Sequence, residues 1–337
     1  MRSVRGGAAR AFRAGGGIRA GLRPVERRLL DEAQRRFPVC ARPYAELGRR
    51  LSLPEERVLR LLRRLRAGGV VRRIGPSYDA RAHGLDTVLV AFSVPPGGVR
   101  RAAAAINELD GVTHNYLRRH SMNIWFTLAS AGRAERRRTL RRLVRRIRPL
   151  RALELPAERL FKLGLLFDLG VGPAPGGGRR RIPGARGRVP PAVARLIPFD
   201  LDLAPRPFPR GTVGAVKTLA ASGRVRRFGA VLDGEKLGYR YRALVAWIVP
   251  AGREAGAARA LAAFDAVSHC YARPAAGGWP YRLYTMVHAR DRRSGARLIA
   301  AMSRAALDGG HVVLETVETL KRASMDPCAV RRGGFKA

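Results

Sequence analysis

The feature that most narrows what this chain can fold into is that its central stretch is written twice. Val112-Thr113-His114-Asn115-Tyr116-Leu117-Arg118-Arg119 returns as Val267-Ser268-His269-Cys270-Tyr271-Ala272-Arg273-Pro274. In each copy histidine, tyrosine and arginine fall at alternate positions. Strand side chains repeat every two residues, so in a β-strand all three leave one face. A proton donor, a phenol and a fixed cation on one face suit an anionic substrate. A half-buried strand whose polar face meets water carries the same pattern. The recurrence of the three residues in the same order favours the site.

The first copy is preceded by helical patterns. Val25, Leu29 and Leu30 share a face from Pro24 on, and Phe37-Pro38 breaks it. A second short helix fits Tyr44 to Leu51. Ser52-Leu53-Pro54-Glu55-Glu56 predicts a helix start with Ser52 as N-cap. Val58, Leu61, Leu62 and Leu65 then form one stripe, ended by Gly68-Gly69. Val70 to Gly75 reads as a strand. Three short helices and a β wing over 24–78 predict a winged helix-turn-helix. Over 79–169 the order is an apolar strand Val88–Val94, a helix 98–109, the His114 strand and the strand Asn123–Leu128. A basic helix 133–147 and an extended region from Arg151 to Phe167 follow. This β-α-β-β-α-β order is the ferredoxin-like pattern.

Residues 170–191 are rich in Gly, Pro and Arg and predict a linker, after which the plan repeats. Arg72-Arg73 returns as Arg226-Arg227, and Trp125 as Tyr284 within Tyr281-Arg282-Leu283-Tyr284-Thr285-Met286. Arg42-Pro43-Tyr44 returns as Arg206-Pro207-Phe208, an offset of 164, whereas Arg72 to Arg226 is an offset of 154. Ten residues are therefore missing between these anchors. The second helix-turn-helix, over 192–232, is expected to be eroded and unable to place a recognition helix. A second ferredoxin-like domain occupies 233–322, with basic or short tails at 1–23 and 323–337. The fold class is α+β, a tandem repeat forming a pseudo-dimer within one chain.

Charge enters here. The chain has 66 Lys and Arg against 25 Asp and Glu, a formal +41, which calls for a polyanionic partner, whether nucleic acid, membrane surface or a polycarboxylate. An Arg-, Ala- and Gly-rich coding bias contributes part of it. Three cysteines without C-x-x-C spacing argue against a disulfide framework or a structural zinc site and suit a reducing cytoplasm. No apolar run approaches the roughly 20 residues of a membrane span.

The architecture resembles the Lrp/AsnC regulators. Two stretches point to an enzymatic branch, the siroheme decarboxylases, which occur as paired subunits or as a fused chain. They are His114-Asn115-Tyr116-Leu117-Arg118 with Asn123-Ile124-Trp125-Phe126-Thr127-Leu128, and Ser268-His269-Cys270-Tyr271 with Trp279-Pro280-Tyr281-Arg282-Leu283-Tyr284-Thr285-Met286. Arg282 departs from the asparagine expected in this type of motif. The resemblance spans about residues 24–167 and 192–322. It implies conversion of siroheme to 12,18-didecarboxysiroheme by loss of two acetate carboxyls as CO2, in haem d1 or siroheme-dependent haem synthesis. The partners it implies are siroheme, other proteins of those pathways and a further homo-oligomer. Nucleic acid and membrane are not expected. No protein metal site and no separate cofactor is required, since siroheme iron enters with the substrate.

Losing CO2 leaves carbanion character beside a conjugated ring, and histidine suits delivery of the proton that follows. His114 and His269 are the candidates as acids, or in one case as an axial ligand to the siroheme iron. Arg118, Arg119 and Arg273 beside them, and Arg72, Arg73, Arg226 and Arg227 at the wings, are candidates to hold carboxylates. Tyr116 and Tyr271 can hydrogen-bond a carboxylate. Trp125, Trp279, Tyr281 and Tyr284 are candidates to wall the macrocycle, though aromatics in strands also serve as core. His83, His120, His288 and His311 have no counterpart across the repeat and are set aside. The readings from other classes are a DNA-binding regulator and a non-catalytic haem or siroheme sensor.

Overall fold

The computed structural model describes residues 21–78, 80, 83–164, 166–171, 200–250, 252–306, 309–323, 325 and 330. The expected tails at 1–23 and 323–337, the linker at 170–191 and the start of 192–232 lie largely outside the described residues. The chain divides into two compact units, one combining residues 16–84 with 166–239 and the other 85–165 with 240–337.

The first unit starts with α1 (Pro24–Arg35), α2 (Pro43–Leu51) and α3 (Glu55–Ala67). Prolines open α1 and α2, where the missing N–H costs nothing. Leu29, Leu30, Tyr44, Leu47, Val58 and Leu62 are fully buried and join the three helices. Ser52 does not cap α3. It ends α2 in the left-handed conformation (φ 54°), and Pro54 precedes the first turn of α3 with Glu55 and Glu56. The wing β1 (Val71–Tyr78) pairs antiparallel with its repeat β7 (Val225–Leu232), and Gly75 faces Gly229. Those two glycines are the same position in the two copies, so the repeat closes on a local two-fold. Among the described residues from 200 to 232 one helix, α6 (Thr212–Ala221), precedes β7, where the first copy has three before β1.

The second unit carries the two β-α-β-β-α-β copies. The first is β2 (Asp86–Ser93), α4 (Val99–Asn107), β3 (Val112–Arg118), β4 (Ile124–Ser130), α5 (Arg133–Ile147) and β5 (Arg151–Pro156), prolonged by β6 (Arg159–Leu163). The second is β8 (Tyr241–Trp247), α7 (Glu254–Ala262), β9 (Val267–Ala272), β10 (Leu283–Ala289), α8 (Arg292–Ala306) and β11 (His311–Arg322). The strands form one sheet in the order β5-β2-β4-β3-β11-β8-β10-β9-β6. Alternation along the strands sends one set of side chains to the helices. Val88, Val90, Phe92 and Phe126 meet Ile106 and Leu143, and in the second copy Val245, Trp247 and Val287 meet Leu261 and Met302. The opposite set, Leu89, Trp125, Leu155, Leu244, Tyr284 and Leu314 among them, makes a third core shared by both copies.

The last strand of each copy is divided between the copies. Residues 311–315 of β11 pair with β8 of their own copy, and residues 316–322 pair with β3 of the first. Likewise β5 pairs with β2, and β6 pairs with β9 of the second copy. Among the described residues no helix is long and apolar enough to cross a membrane.

A Cβ on Gly229 would lie 2.6 Å from the Ala33 carbonyl oxygen, whereas one on the exposed helical Gly214 meets nothing within 4 Å. Gly229→Ala is therefore expected to destabilise the wing unit by about 1–3 kcal/mol. Gly214→Ala is expected to be neutral or stabilising by up to about 1 kcal/mol. Thermal unfolding of both variants checks this.

Candidate active site

The repeated strands place histidine, tyrosine and arginine as a stacked ladder, twice. In β3 the alternate residues turn toward the helices, where Asn115 Nδ2 donates to Asn107 Oδ1 of α4 at 3.0 Å. His114, Tyr116 and Arg118 take the inner face. The His114 and Tyr116 rings stack at 6.1 Å and 30°, and the Arg118 guanidinium lies 5.0 Å from the Tyr116 ring centroid. In β9 the His269 and Tyr271 rings stack at 6.3 Å and 20°, and Arg273 lies 5.1 Å from Tyr271.

Each histidine is gripped by the residue before it. Thr113 Oγ1 lies 2.9 Å from His114 Nδ1, and Ser268 Oγ 2.7 Å from His269 Nδ1. Both hydroxyls sit at register shifts, Thr113 between the pairs Val112–Leu128 and His114–Thr127, Ser268 between Val267–Val287 and His269–Met286. An extra residue in one strand re-aims side chains, which is how a hydroxyl one position away reaches the histidine ring.

The arginines of the ladder are buried and bonded within the sheet. Arg118 and Arg273 are buried, and Arg118 Nη1 donates to the Leu314 carbonyl and the Thr316 hydroxyl, both at 2.9 Å. Arg273 donates to the Leu155 carbonyl. Leu155 and Leu314 are the same position in the two copies, so each arginine holds the last strand of the other copy. Burial lowers the Arg118 pKa to about 10, which leaves it charged at neutral pH. In this structure both guanidiniums, expected to hold carboxylates, fasten the last strands of the two copies. Arg119 is exposed, lies 3.6 Å from Glu315, and lines a cavity of about 580 Å³ with Tyr241, Arg292 and His311.

The aromatic candidates sit in the core cluster shared by the copies. Trp125, Trp279 and Tyr284 are buried in the cluster shared by the copies, and Tyr281 packs on Trp279 at 4.7 Å between centroids. Their polar atoms are used internally. Trp125 Nε1 donates to the Met122 carbonyl at 2.7 Å, and Trp279 Nε1 to the Tyr284 hydroxyl at 2.8 Å. The wing arginines belong to the other unit. Arg73 donates to the Pro76 carbonyl, Arg226 to the Tyr78 carbonyl and Arg227 to the Gln34 and Ala230 carbonyls, while Arg72 is exposed. Burial lowers the pKa of Arg73, and that of Arg227 to about 10.

Three residues outside the sequence candidates share the inner face with the histidines. Arg322 of β11 is the register partner of His114. Arg242 of β8 is the partner of His288 on β10. His288 is buried, and Ser268 Oγ lies 2.9 Å from its Nε2. Burial first, then the Arg242, Arg322 and Arg118 guanidiniums, push its pKa down to about 3. The corresponding positions of the first copy hold Thr87, Ala129 and Leu163, the last being the register partner of His269. The parity of His288 with Tyr284 along one strand was the available signal. For Arg322 the two register shifts within β11 hide the parity. Among the described residues no group of three or more His, Cys, Asp or Glu is placed to hold a metal ion.

Comparison with known proteins gives a consistent set of likenesses. The model of the AsnC-like ligand binding domain matches residues 82–162 and 236–321, and that of the siroheme decarboxylase NirDL-like HTH domain matches residues 26–72. The siroheme decarboxylase NirDL subunit of Paracoccus denitrificans is 31% identical over 290 residues, covering 82% of this chain and 88% of its own. A siroheme decarboxylase of Hydrogenobacter thermophilus is 29% identical over 301 residues, covering 82% and 87%. The crystal structure of a siroheme decarboxylase NirDL superposes with a TM-score of 0.66 at 25% identity, covering 89% of this chain and 93% of that one.

Two outcomes follow from this geometry. Arg118→Ala removes a buried side chain that donates to the Leu314 carbonyl and the Thr316 hydroxyl, so it is expected to cost roughly 2–4 kcal/mol in urea unfolding. Arg119→Ala, at an exposed pair, is expected to stay within about 0.5 kcal/mol. The pKa of His288 is lower in the folded than in the unfolded chain, so the unfolded state binds the extra proton between the two values. Stability from His288 is therefore complete above the ordinary histidine pKa and falls as pH drops toward 3, by up to about 1.4 kcal/mol per unit. Urea midpoints between pH 7 and 5 should show this slope, and His288→Leu should flatten it.

Proposed function

The chain belongs to the siroheme decarboxylase family, and from that premise we propose that it removes the two acetate carboxyls of siroheme as CO2, giving 12,18-didecarboxysiroheme, with His114 and His269 as proton donors. In each step the bond between the acetate CH2 and its carboxylate breaks. CO2 departs and the electron pair stays on the carbon beside the ring. The conjugated macrocycle delocalises that pair, so no separate organic cofactor is called for, and the iron enters as part of the substrate. A proton from an imidazole then completes the methyl group, and solvent reprotonates the histidine. No oxidation state of carbon-bound groups needs an outside oxidant or reductant.

The observation that carries the reading is the twice-built ladder, with each histidine stacked on a tyrosine and held at Nδ1 by a hydroxyl. Holding Nδ1 leaves Nε2 as the nitrogen that meets substrate. The half-buried Arg242 and Arg322 are the cations on that inner face suited to the substrate's carboxylates, and the Tyr116 and Tyr271 phenols can donate to them. A DNA-binding regulator built on this plan needs a reading helix in each half, and the described residues from 200 to 232 contain one helix before the wing. Free thiols at Cys40 and Cys270 suit a reducing cytoplasm, where haem d1 or siroheme-dependent haem synthesis would take the product onward.

The test is anaerobic incubation of the purified chain with siroheme, followed by mass spectrometry of the tetrapyrrole. The expected product is lighter by two CO2. Bound, unchanged siroheme would point instead to a sensor, and salt-sensitive operator binding without turnover to a regulator.

A further inference from the structure

The two copies hold their histidines in different ways. In the second copy the Ser268 hydroxyl lies between two imidazoles, 2.7 Å from His269 Nδ1 and 2.9 Å from His288 Nε2, with a longer contact of 3.3 Å to the Met286 carbonyl. In the first copy the Thr113 hydroxyl lies 2.9 Å from His114 Nδ1 and 3.2 Å from the Thr127 hydroxyl. Ala129 stands where the second copy has His288.

A hydroxyl has one proton to donate, so Ser268 serves one acceptor among the two rings and the Met286 carbonyl, and its contact with His269 Nδ1 is the shortest of the three. The state of His288 decides between them. That ring is buried and, with its pKa pushed to about 3 by burial and then by Arg242, Arg322 and Arg118, neutral at pH 7. A neutral imidazole has one N–H and one lone pair. Placed on Nε2, the single hydrogen of the neutral ring points at the Ser268 oxygen 2.9 Å away, which can accept it. Nε2–H then donates to Ser268, Ser268 donates to His269 Nδ1, and the hydrogen of His269 is left on Nε2. The Thr127 hydroxyl of the first copy donates or accepts equally well and imposes no such order on His114.

We propose that His288 is a positioning residue that acts through Ser268 to hold His269 as its Nε2–H tautomer, so that His269 faces the substrate with its hydrogen in place as proton donor. The roles of the two histidines in turnover rest on the decarboxylase reading; the tautomer does not. It is read directly by two-bond proton–nitrogen NMR correlations of the full ¹⁵N-labelled chain, with His269 assigned by its loss in His269→Gln. The expected pattern is Nε2–H with an accepting Nδ1. His288→Leu should turn it into a tautomer mixture, and His288→Gln, whose amide still donates to Ser268, should preserve it. Ser268→Ala breaks the same chain with His288 in place and should also give the mixture. In turnover, His288→Leu should lower kcat roughly 10–100-fold with KM unchanged. His269 found as Nδ1–H, or the same in wild type, His288→Leu and Ser268→Ala, would overturn the proposal. An intact Nε2–H tautomer in a chain that leaves siroheme unchanged would count against the decarboxylase reading alone.

Discussion

The larger unit depends on an exchange of strands. Each copy's last strand starts on its own sheet and finishes on the other copy, β11 beside β3 and β6 beside β9. Without this the β3 and β9 edges would offer unpaired backbone groups to any other chain. Arg118 and Arg273 fasten the exchange by donating to the carbonyls of Leu314 and Leu155. Arginine is well suited to this task, since its planar head reaches a carbonyl of the other copy while lying over the ring of Tyr116 or Tyr271. The exchange also fixes what surrounds each histidine. The strand beside His114 comes from the second copy and brings Arg322, and the strand beside His269 comes from the first and brings Leu163.

That last difference shows what a fused repeat makes possible. Two identical subunits would present the same residues around both histidines. Here Arg242, Arg322 and His288 gather where the first copy has Thr87, Leu163 and Ala129. The positions that differ on the inner face thus add two cations, Arg242 and Arg322, where the other half has Thr87 and Leu163. Under the proposed reading, a substrate with many carboxylates at its rim and two acetates to lose would meet inequivalent surroundings in the two halves.

Much of this was legible in the sequence. Alternation of His, Tyr and Arg put the three on one face, and they do stack there in both copies. The helical stripes and the strand order read through to the β-α-β-β-α-β plan of each copy. What alternation does not encode is depth. It says that Arg118 and Trp125 point from the inner face, not that the other copy's residues cover them, because the covering strands are distant in sequence. Nor does local pattern reveal the extra residues at Thr113 and Ser268, which place the hydroxyls on the histidines. Ser52 was misplaced by one element because a serine before a proline and two acids fits a helix start as well as the left-handed end of the helix before it. A different reason hides His288. Matching one copy against the other selects what they share, and the residues that distinguish the copies have no match.

The most direct measurement of the central claim is the single-turnover rate of siroheme decarboxylation by His114→Ala and His269→Ala, with siroheme binding followed in parallel by its absorbance. Proton delivery by positioned imidazoles predicts rates lower by roughly 10²–10⁴-fold with binding kept. Wild-type rates in both variants would contradict it.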